Sequence, residues 1–330
     1  MNKKNRIIIA VLIPFLMIIA VMSYIIYQRI RDEVVEEAGQ VLTRKEQQTE
    51  LSYGDQTFPL KKRIETFLLV GTDSDQTMAS DDHIKLFYNH IQADAIVLFV
   101  VDNEAQKVTA IQINRDTMMD DPWLDVIGNY GGTSYEQIAL SYNSGSGGLD
   151  SCLNTKRAVS SLLFNAPIDH CLAFTMAGIN TLNDLVGGVT VNIVDDLTPV
   201  DPMLAQGKKI TLHGVQAEHF LRARQALQDD TNTSRMRRHR DYFEGFRDSA
   251  ETAFEADPEF LLKAMKQLNP YMVTDMSAQA ISDLVSKVNK YGFDSIRCAK
   301  GELRATEFYE FYADMDDLWS IVSEAYCDKY

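Results

Sequence analysis

Apolar positions along the chain fall into two rhythms. Three runs are apolar almost throughout and are bounded by turn or charged residues: 66–70, which ends at Gly71; 94–102, which reads DAIVLFVVD; and 108–113, which reads VTAIQI and stops at Asn114. Runs of this length predict strands that are buried in a sheet. Residues 171–175 and 189–194 predict two more strands, and 209–212 opens a hairpin-like piece. Elsewhere the period is helical, over 153–163, 176–186, 214–221, 234–256, 258–268 and 277–289. The pair Gly187-Gly188 supplies the stop for the second of these helices. Residues 128–148 are rich in Gly, Ser and Tyr and predict a loop with a short helix over 135–142. Residues 269–330 read as mainly helical. Mixed helices and strands in this order predict an α/β protein, an α/β/α sandwich around a mixed central sheet.

The N-terminus has a different pattern. Lys3, Lys4 and Arg6 precede an uncharged run that begins at Ile7 and ends at Tyr27. About 20 residues at helical rise span a bilayer, so residues 7–27 predict one transmembrane helix. Pro14 is tolerated in such a helix, and Tyr24 and Tyr27 suit the membrane interface. The basic residues before the run put the N-terminus inside and the body outside. A cleaved leader begins in the same way, but this run is long for one and lacks a small-x-small pair near its end. The polar stretch 28–63 follows as a juxtamembrane helix, with Val34, Val35, Ala38, Val41 and Leu42 at helical spacing, and then a linker.

The chain has 330 residues and a formal net charge of −15. An acidic surface of this kind excludes non-specific nucleic-acid binding, which needs a basic face. Cys152, Cys171, Cys298 and Cys327 show no metal-ligand spacing; they allow disulfides, Cys152 with Cys171 and Cys298 with Cys327 being the sequence-local pairs, or free buried thiols.

Against this acidic background, six arginines crowd into residues 220–245: Arg222, Arg224, Arg235, Arg237, Arg238 and Arg240. A guanidinium fork suits phosphate oxygens. Arg222 and Arg224 would share a side in an extended segment. Arg235 and Arg238 would share a helix face, with Asn232 or Ser234 as its cap and the helix N-terminus adding to an anion site. Arg237 and Arg240 fall on other faces, towards solvent. Asp73, Asp94 and Asp116 lie beside strand ends, where carboxylates either cap turns or hold Mg²⁺ that shares its shell with substrate phosphates. Arg115 adjoins the last of them.

Seven short motifs follow in order: Phe67-Leu-Leu-Val-Gly-Thr-Asp73, Ala93-Asp94-Ala-Ile-Val-Leu, Ile113-Asn-Arg115-Asp116-Thr117, Ala139-Leu-Ser-Tyr-Asn143, Asn183-Asp-Leu-Val-Gly-Gly-Val189, Gly214-Val-Gln-Ala and Leu221-Arg-Ala-Arg224. They close with Asn232-Thr-Ser-Arg235-Met-Arg-Arg238-His239. In this order they resemble the LytR–CpsA–Psr family, over about residues 64–250. The resemblance implies an extracytoplasmic domain behind one membrane helix, an apolar tunnel for a polyprenyl pyrophosphate, and a Mg²⁺-dependent (Mn²⁺ possible) phosphotransfer. In that reaction a glycopolymer of wall teichoic acid or capsular type passes from its polyprenyl-pyrophosphate carrier to a peptidoglycan acceptor.

Carried residue by residue, the resemblance makes Asp73 and Asp94 the metal-associated carboxylates and Arg115, Arg222 and Arg224 the pyrophosphate arginines. Arg235 and Arg238 join that group. Asp116 is a base or an architectural residue. Helices around Leu162 and Leu182 would line the tunnel together with strand faces. Gln92 stands where the family often has Arg, and His239 where it commonly has Gln. The expected organisation is a cytoplasmic tail over 1–6, the span 7–27, the linker 28–63, a catalytic domain over 64–250, and a mainly helical extension over 251–330. That extension either finishes the core or helps to place peptidoglycan. A pyrophosphatase acting on the same carrier and a non-catalytic lipid-binding envelope regulator are the alternative readings.

Overall fold

A computed structural model describes residues 48–78, 90–124, 130–224, 227, 231–257, 259–292 and 296–328. The predicted membrane span over 7–27 lies outside the described residues, and among those described no helix is long and apolar enough to cross a membrane. The folded unit begins at Glu50, earlier than the expected boundary at 64. Its first element is a hairpin of β1 (Glu50–Tyr53) and β2 (Gln56–Pro59), inside the stretch expected to be linker.

The three apolar runs form β3 (Ile64–Thr72), β4 (Ala93–Asp102) and β5 (Lys107–Ile113), an antiparallel meander. The Gly/Ser/Tyr-rich stretch is only partly a loop. Its first half pairs as β7 (Tyr130–Gln137) with β6 (Met118–Leu124), a 3₁₀ turn over Ile138–Tyr142 follows where a short helix was expected, and among the described residues the loop is confined to 143–148. Then come α1 (Leu149–Leu162), β8 (His170–Thr175), α2 (Ile179–Leu185), and the hairpin partners β9 (Val189–Asn192) and β10 (Lys209–Leu212). Gly187 and Gly188 end α2 as expected, both at positive φ, with the Gly188 N–H donating to the Asn183 carbonyl at 2.9 Å. Helices α3 (Val215–Arg222) and α4 (Asn232–Ala256) carry the arginine cluster.

The last eighty residues hold more helix than strand, as expected, but they complete the central sheet rather than extend from it. They hold α5 (Phe260–Leu268), β11 (Met272–Thr274), α6 (Ala278–Tyr291), β12 (Ile296–Arg297), β13 (Gly301–Ala305), β14 (Tyr309–Ala313) and α7 (Met315–Tyr326). Their strands β11 and β12 are the two outer strands of the central sheet, whose order is β11-β8-β3-β4-β5-β12. Pairing is parallel at β3–β8 and β5–β12 and antiparallel elsewhere, so the sheet is mixed.

Helices cover both faces. On one, Leu68, Val70, Ile96, Leu98 and Ile111 pack against Val159 and Leu162 of α1 and Leu318, Val322 and Tyr326 of α7. On the other, Val97 and Ala110 meet Phe243 of α4, and Leu172 and Phe174 meet Leu182 of α2 and Leu268 of α5. Leu162 and Leu182 therefore sit on opposite faces of the sheet and do not line one tunnel; Leu162 is core. The second face is the looser one, because Phe67, Leu69, Phe99 and Leu172 on it are only half-buried.

The β1–β2 hairpin and the residues after it meet α7 on the first face. Tyr53 stacks on Trp319 at 4.9 Å, Leu60 bridges to Cys327, and Lys61 Nζ donates to the carbonyls of Glu324 and Ala325 at 2.8 and 3.0 Å. All four cysteines are free thiols, three of them buried.

Candidate functional site

A β-bulge places the first site residue. Gly71 pairs with Ala95 and Thr72 with Ala93, which leaves Asp94 as the extra residue of β4. Bulges re-aim side chains next to sites, and this one turns Asp94 towards α4. The approach is tight: a Cβ on Gly71 would lie 3.1 Å from the Ala95 Cβ.

Asp94 is 9% exposed and holds two arginines. Its Oδ1 accepts from Nη1 of Arg115, at the end of β5, and its Oδ2 accepts from Nη1 of Arg235, in the first turn of α4, at 2.8 Å. Burial pushes the Asp94 carboxyl up, but Arg235 and Arg115 more than offset it and leave the group below the usual carboxylate range. Arg235 is itself 4% exposed. Asn232 fixes it, with its Oδ1 accepting from Nε at 3.0 Å and from Nη2 at 2.8 Å. The expected helix cap is Asn232 or Ser234; Thr231 takes that position instead, and the Asn232 amide serves the arginine. In turn its Nδ2 donates to Asn114 Oδ1 at 2.7 Å, which also receives the Asp116 N–H at 3.0 Å. Neither asparagine was singled out as a site residue from the sequence.

Arg115 reaches further. Its Nη2 donates to Gln92 Oε1. Gln92, which stands in place of the arginine that the resemblance implies, is thus an acceptor that steadies Arg115. Asp73 lies alongside and receives the Gln92 backbone N–H at 2.8 Å. Burial raises the Asp73 carboxyl; the Gln92 N–H opposes this, and the charge on Asp94 adds to the rise.

Asp116 is 2% exposed. Its Oδ1 lies 3.5 Å from Arg115 Nε and 3.5 Å from Gln137 Nε2. Among the described residues its Oδ2 has no hydrogen-bond partner, and neither does Arg115 Nε. Burial pushes the Asp116 carboxyl above its usual range, against the pull of Arg115, Arg224 and Arg235. A buried carboxylate with one unpartnered oxygen beside arginines is suited to take a proton.

The other arginines divide. Arg222 is the last residue of α3, not part of an extended segment, and it pairs with Asp75 at 2.6 Å and Glu218 at 3.3 Å. Arg224 lies beyond the helix end, its guanidinium 5.5 Å from the centre of the Tyr309 ring. Arg238 is 1% exposed and faces away from Asp94. Its Nε donates to Phe220 O at 2.9 Å, its Nη2 to Ala223 O, and its Nη1 to Asp195 Oδ2 at 2.9 Å. It clamps the C-terminus of α3, so its part in the site is to hold Arg222 and Arg224. Arg237 is half-exposed on Asp195, and Arg240 donates to Gln112 Oε1 at 2.8 Å. His239 is buried, and its Nε2–H reaches the Leu221 carbonyl at 3.2 Å. Burial first, and Arg235 second, lower it to about 3, so it is neutral.

Among the described residues no three carboxylate, His or Cys side chains cluster as a metal cage. Asp73 beside Asp94 fits the other mode, in which one or two carboxylates share a cation with substrate phosphates. The charge of Asp94 lifting the Asp73 carboxyl is the repulsion that such a cation would relieve.

The fold has relatives of solved structure. A Listeria innocua protein of solved structure is 24% identical with a TM-score of 0.55, over 80% of this chain and 98% of that one. The structure described as TagT bound to LI-WTA is 15% identical with a TM-score of 0.59, over 84% and 95%. B. subtilis TagV is 17% identical with a TM-score of 0.57, over 80% and 96%. These likenesses establish the fold. No curated protein sequence matches the chain. The LytR_cpsA_psr family model matches residues 24–315, nearly the whole chain, and the protein belongs to the LytR–CpsA–Psr family.

Proposed function

We propose that this protein is a membrane-anchored, extracytoplasmic transferase that moves an anionic glycopolymer from a polyprenyl-pyrophosphate carrier to peptidoglycan. One observation carries the reading: two buried guanidinium groups, Arg115 and Arg235, share the single carboxylate Asp94. Two buried cations on one anion leave a positive site of fixed geometry, which the two phosphates of a pyrophosphate can complete. Arg224 and Arg222, held by Arg238, extend it. The half-buried Phe67, Leu69, Phe99 and Leu172, on the sheet face that Asp94 shares with α4, suit an isoprenoid chain. Family membership and the wall-teichoic-acid ligand named with TagT support the cargo.

Phosphoryl transfer asks a protein mainly for alignment and charge neutralisation. Arg115 and Arg235 bind the pyrophosphate oxygens and stabilise charge on the departing lipid phosphate. Asp116 takes the proton of the acceptor hydroxyl at Oδ2. Mg²⁺, held by Asp73 and Asp94, would add positive charge at the same oxygens.

The test uses the purified chain in detergent with a lipid-pyrophosphate-linked glycan, Mg²⁺ and a peptidoglycan fragment. A glycan–peptidoglycan product, lost in Arg115→Lys with circular dichroism unchanged, supports transfer. Phosphorylated glycan released at a rate independent of acceptor would show a pyrophosphatase instead.

A further inference from the structure

The C-terminal hairpin of β13 and β14 belongs to this site. Its strand β14 runs parallel to the chain entering β6 through a bridge between Thr117 and Phe311. The Phe311 N–H donates to the carbonyl of Asp116 at 2.8 Å. The Tyr309 carbonyl accepts from Gln137 Nε2 at 2.5 Å, and the same amide reaches Asp116 Oδ1 at 3.5 Å. The half-buried Tyr309 ring stands 5.5 Å from the Arg224 guanidinium. The Tyr309 backbone is thus tied through Gln137 to the carboxylate that lacks a partner at Oδ2, and its ring lies against an arginine of the phosphate cluster.

The register of the hairpin sorts its side chains. Leu303 pairs with Phe311 and Ala305 with Tyr309, so these four share one face. Glu302, Arg304, Glu310 and Tyr312 occupy the other, where Arg304 lies over the Tyr312 ring at 4.3 Å and Tyr312 Oη donates to Glu310 Oε2 at 2.8 Å. The charged groups are therefore paired with one another on one face, and the Tyr309 face is apolar. A flat aromatic surface next to carboxylate and guanidinium is what a pyranose ring needs. Its C–H face stacks on the ring, while its hydroxyls turn to the polar groups. A lipid tail needs apolar walls without such groups, and a nucleic acid needs a basic groove that this hairpin lacks.

We propose that Tyr309 is the stacking platform of the acceptor subsite, holding a hexosamine ring of a peptidoglycan glycan strand so that one hydroxyl meets Asp116 Oδ2. This rests on the transferase reading above. The hydroxyl oxygen forms a bond to the phosphorus that bears the glycan, and its proton passes to Asp116. The bond between that phosphorus and the bridging oxygen breaks, and the electron pair leaves with polyprenyl phosphate. Gln137 is a positioning residue that ties the backbone of Tyr309 to Asp116.

Two measurements test the proposal. In the transfer assay, Tyr309→Ala raises the acceptor KM about tenfold while the donor KM stays within twofold; Tyr309→Phe and Tyr309→Trp restore the acceptor KM. Saturation-transfer NMR with a lysozyme-digested glycan-strand fragment, without donor, shows binding to the full chain that Tyr309→Ala loses and Tyr309→Phe keeps. The NMR readout holds whether or not transfer occurs, so failure of the transferase reading is distinguishable from failure of this one. Equal acceptor affinity in wild type and Tyr309→Ala, or a rise in both KM values together, overturns the proposal.

Discussion

Replacing Asp94 by Asn tests the centre of the site. The side chain keeps its shape and one acceptor oxygen, but the charge that two arginines share is gone. Asp94 is 9% exposed, Arg115 9% and Arg235 4%, so neither guanidinium recovers its lost partner by turning into water. Removing one member of a buried ion pair costs about 3–5 kcal/mol, because the other charge is left uncompensated. The retained hydrogen bond puts Asp94→Asn near the low end, about 3 kcal/mol. For the folded unit Glu50–Tyr330 that corresponds to a fall in Tm of about 5 °C. The assay is urea unfolding followed by far-UV circular dichroism, with thermal melts alongside. A second arm adds inorganic pyrophosphate. An anion that occupies the arginines replaces the missing charge, so pyrophosphate raises the Tm of Asp94→Asn more than that of wild type. A variant within about 0.5 kcal/mol of wild type, typical of an ordinary surface change, would refute the buried-pair reasoning. Equal pyrophosphate stabilisation of both proteins would refute the assignment of the arginines to phosphate.

Arg238→Met removes the clamp at the end of α3 and costs about 3 kcal/mol or more, whereas Arg237→Met, on a half-exposed neighbour, costs less than about 1 kcal/mol; urea midpoints separate the two. Asp121 is 4% exposed, and burial together with Glu136 lifts its carboxyl to about 7. A folded-state value above the unfolded one means that the stabilising contribution is complete below about pH 4 and lost as pH rises through about 7. Asp121→Asn therefore gains stability over wild type at pH 8, by about 4 kcal/mol at most, and little at pH 4; midpoints at the two pH values check this. Gln92→Arg exchanges an acceptor for a third guanidinium beside Arg115. Inorganic pyrophosphate then binds about tenfold more tightly at low salt by isothermal titration, and the free protein melts earlier.

The middle of the sheet was legible because β3, β4 and β5 are covered on both faces and read as nearly unbroken apolar runs. Elements whose pairing is local but whose composition is polar were not. Strand β7 is YGGTSYEQ and β1 is ELSY, sequences in which turn chemistry outweighs strand preference. The outer strands β11 and β12 have three and two residues, too few to carry any period. Within the site, Asp94, Arg115 and Arg235 do converge, as ordered motifs suggested. Arg238 illustrates what spacing leaves out. It shares a helix face with Arg235, but that face meets Asp94 at one residue and the end of α3 at the other. Gln137 and Tyr309 lie 172 positions apart, and only the return of the C-terminal hairpin joins them.

The way the β1–β2 hairpin and α7 lock together governs when the protein can fold. The β3–β4–β5 meander forms from neighbours in sequence and can assemble early. One face of it then waits for α7, whose Leu318, Val322 and Tyr326 follow β5 only after a long stretch of intervening chain. The edge of β5 likewise waits for β12. A chain emerging from a ribosome or a translocation pore therefore carries an open apolar face and an unpaired edge until β12 and α7 have emerged, the state most prone to aggregation. Chains ending short of residue 315 should be captured by chaperones or degraded rather than accumulate as smaller domains. Arrival of β12 and α7, and not the start of the sheet, is the step that commits this molecule to its fold.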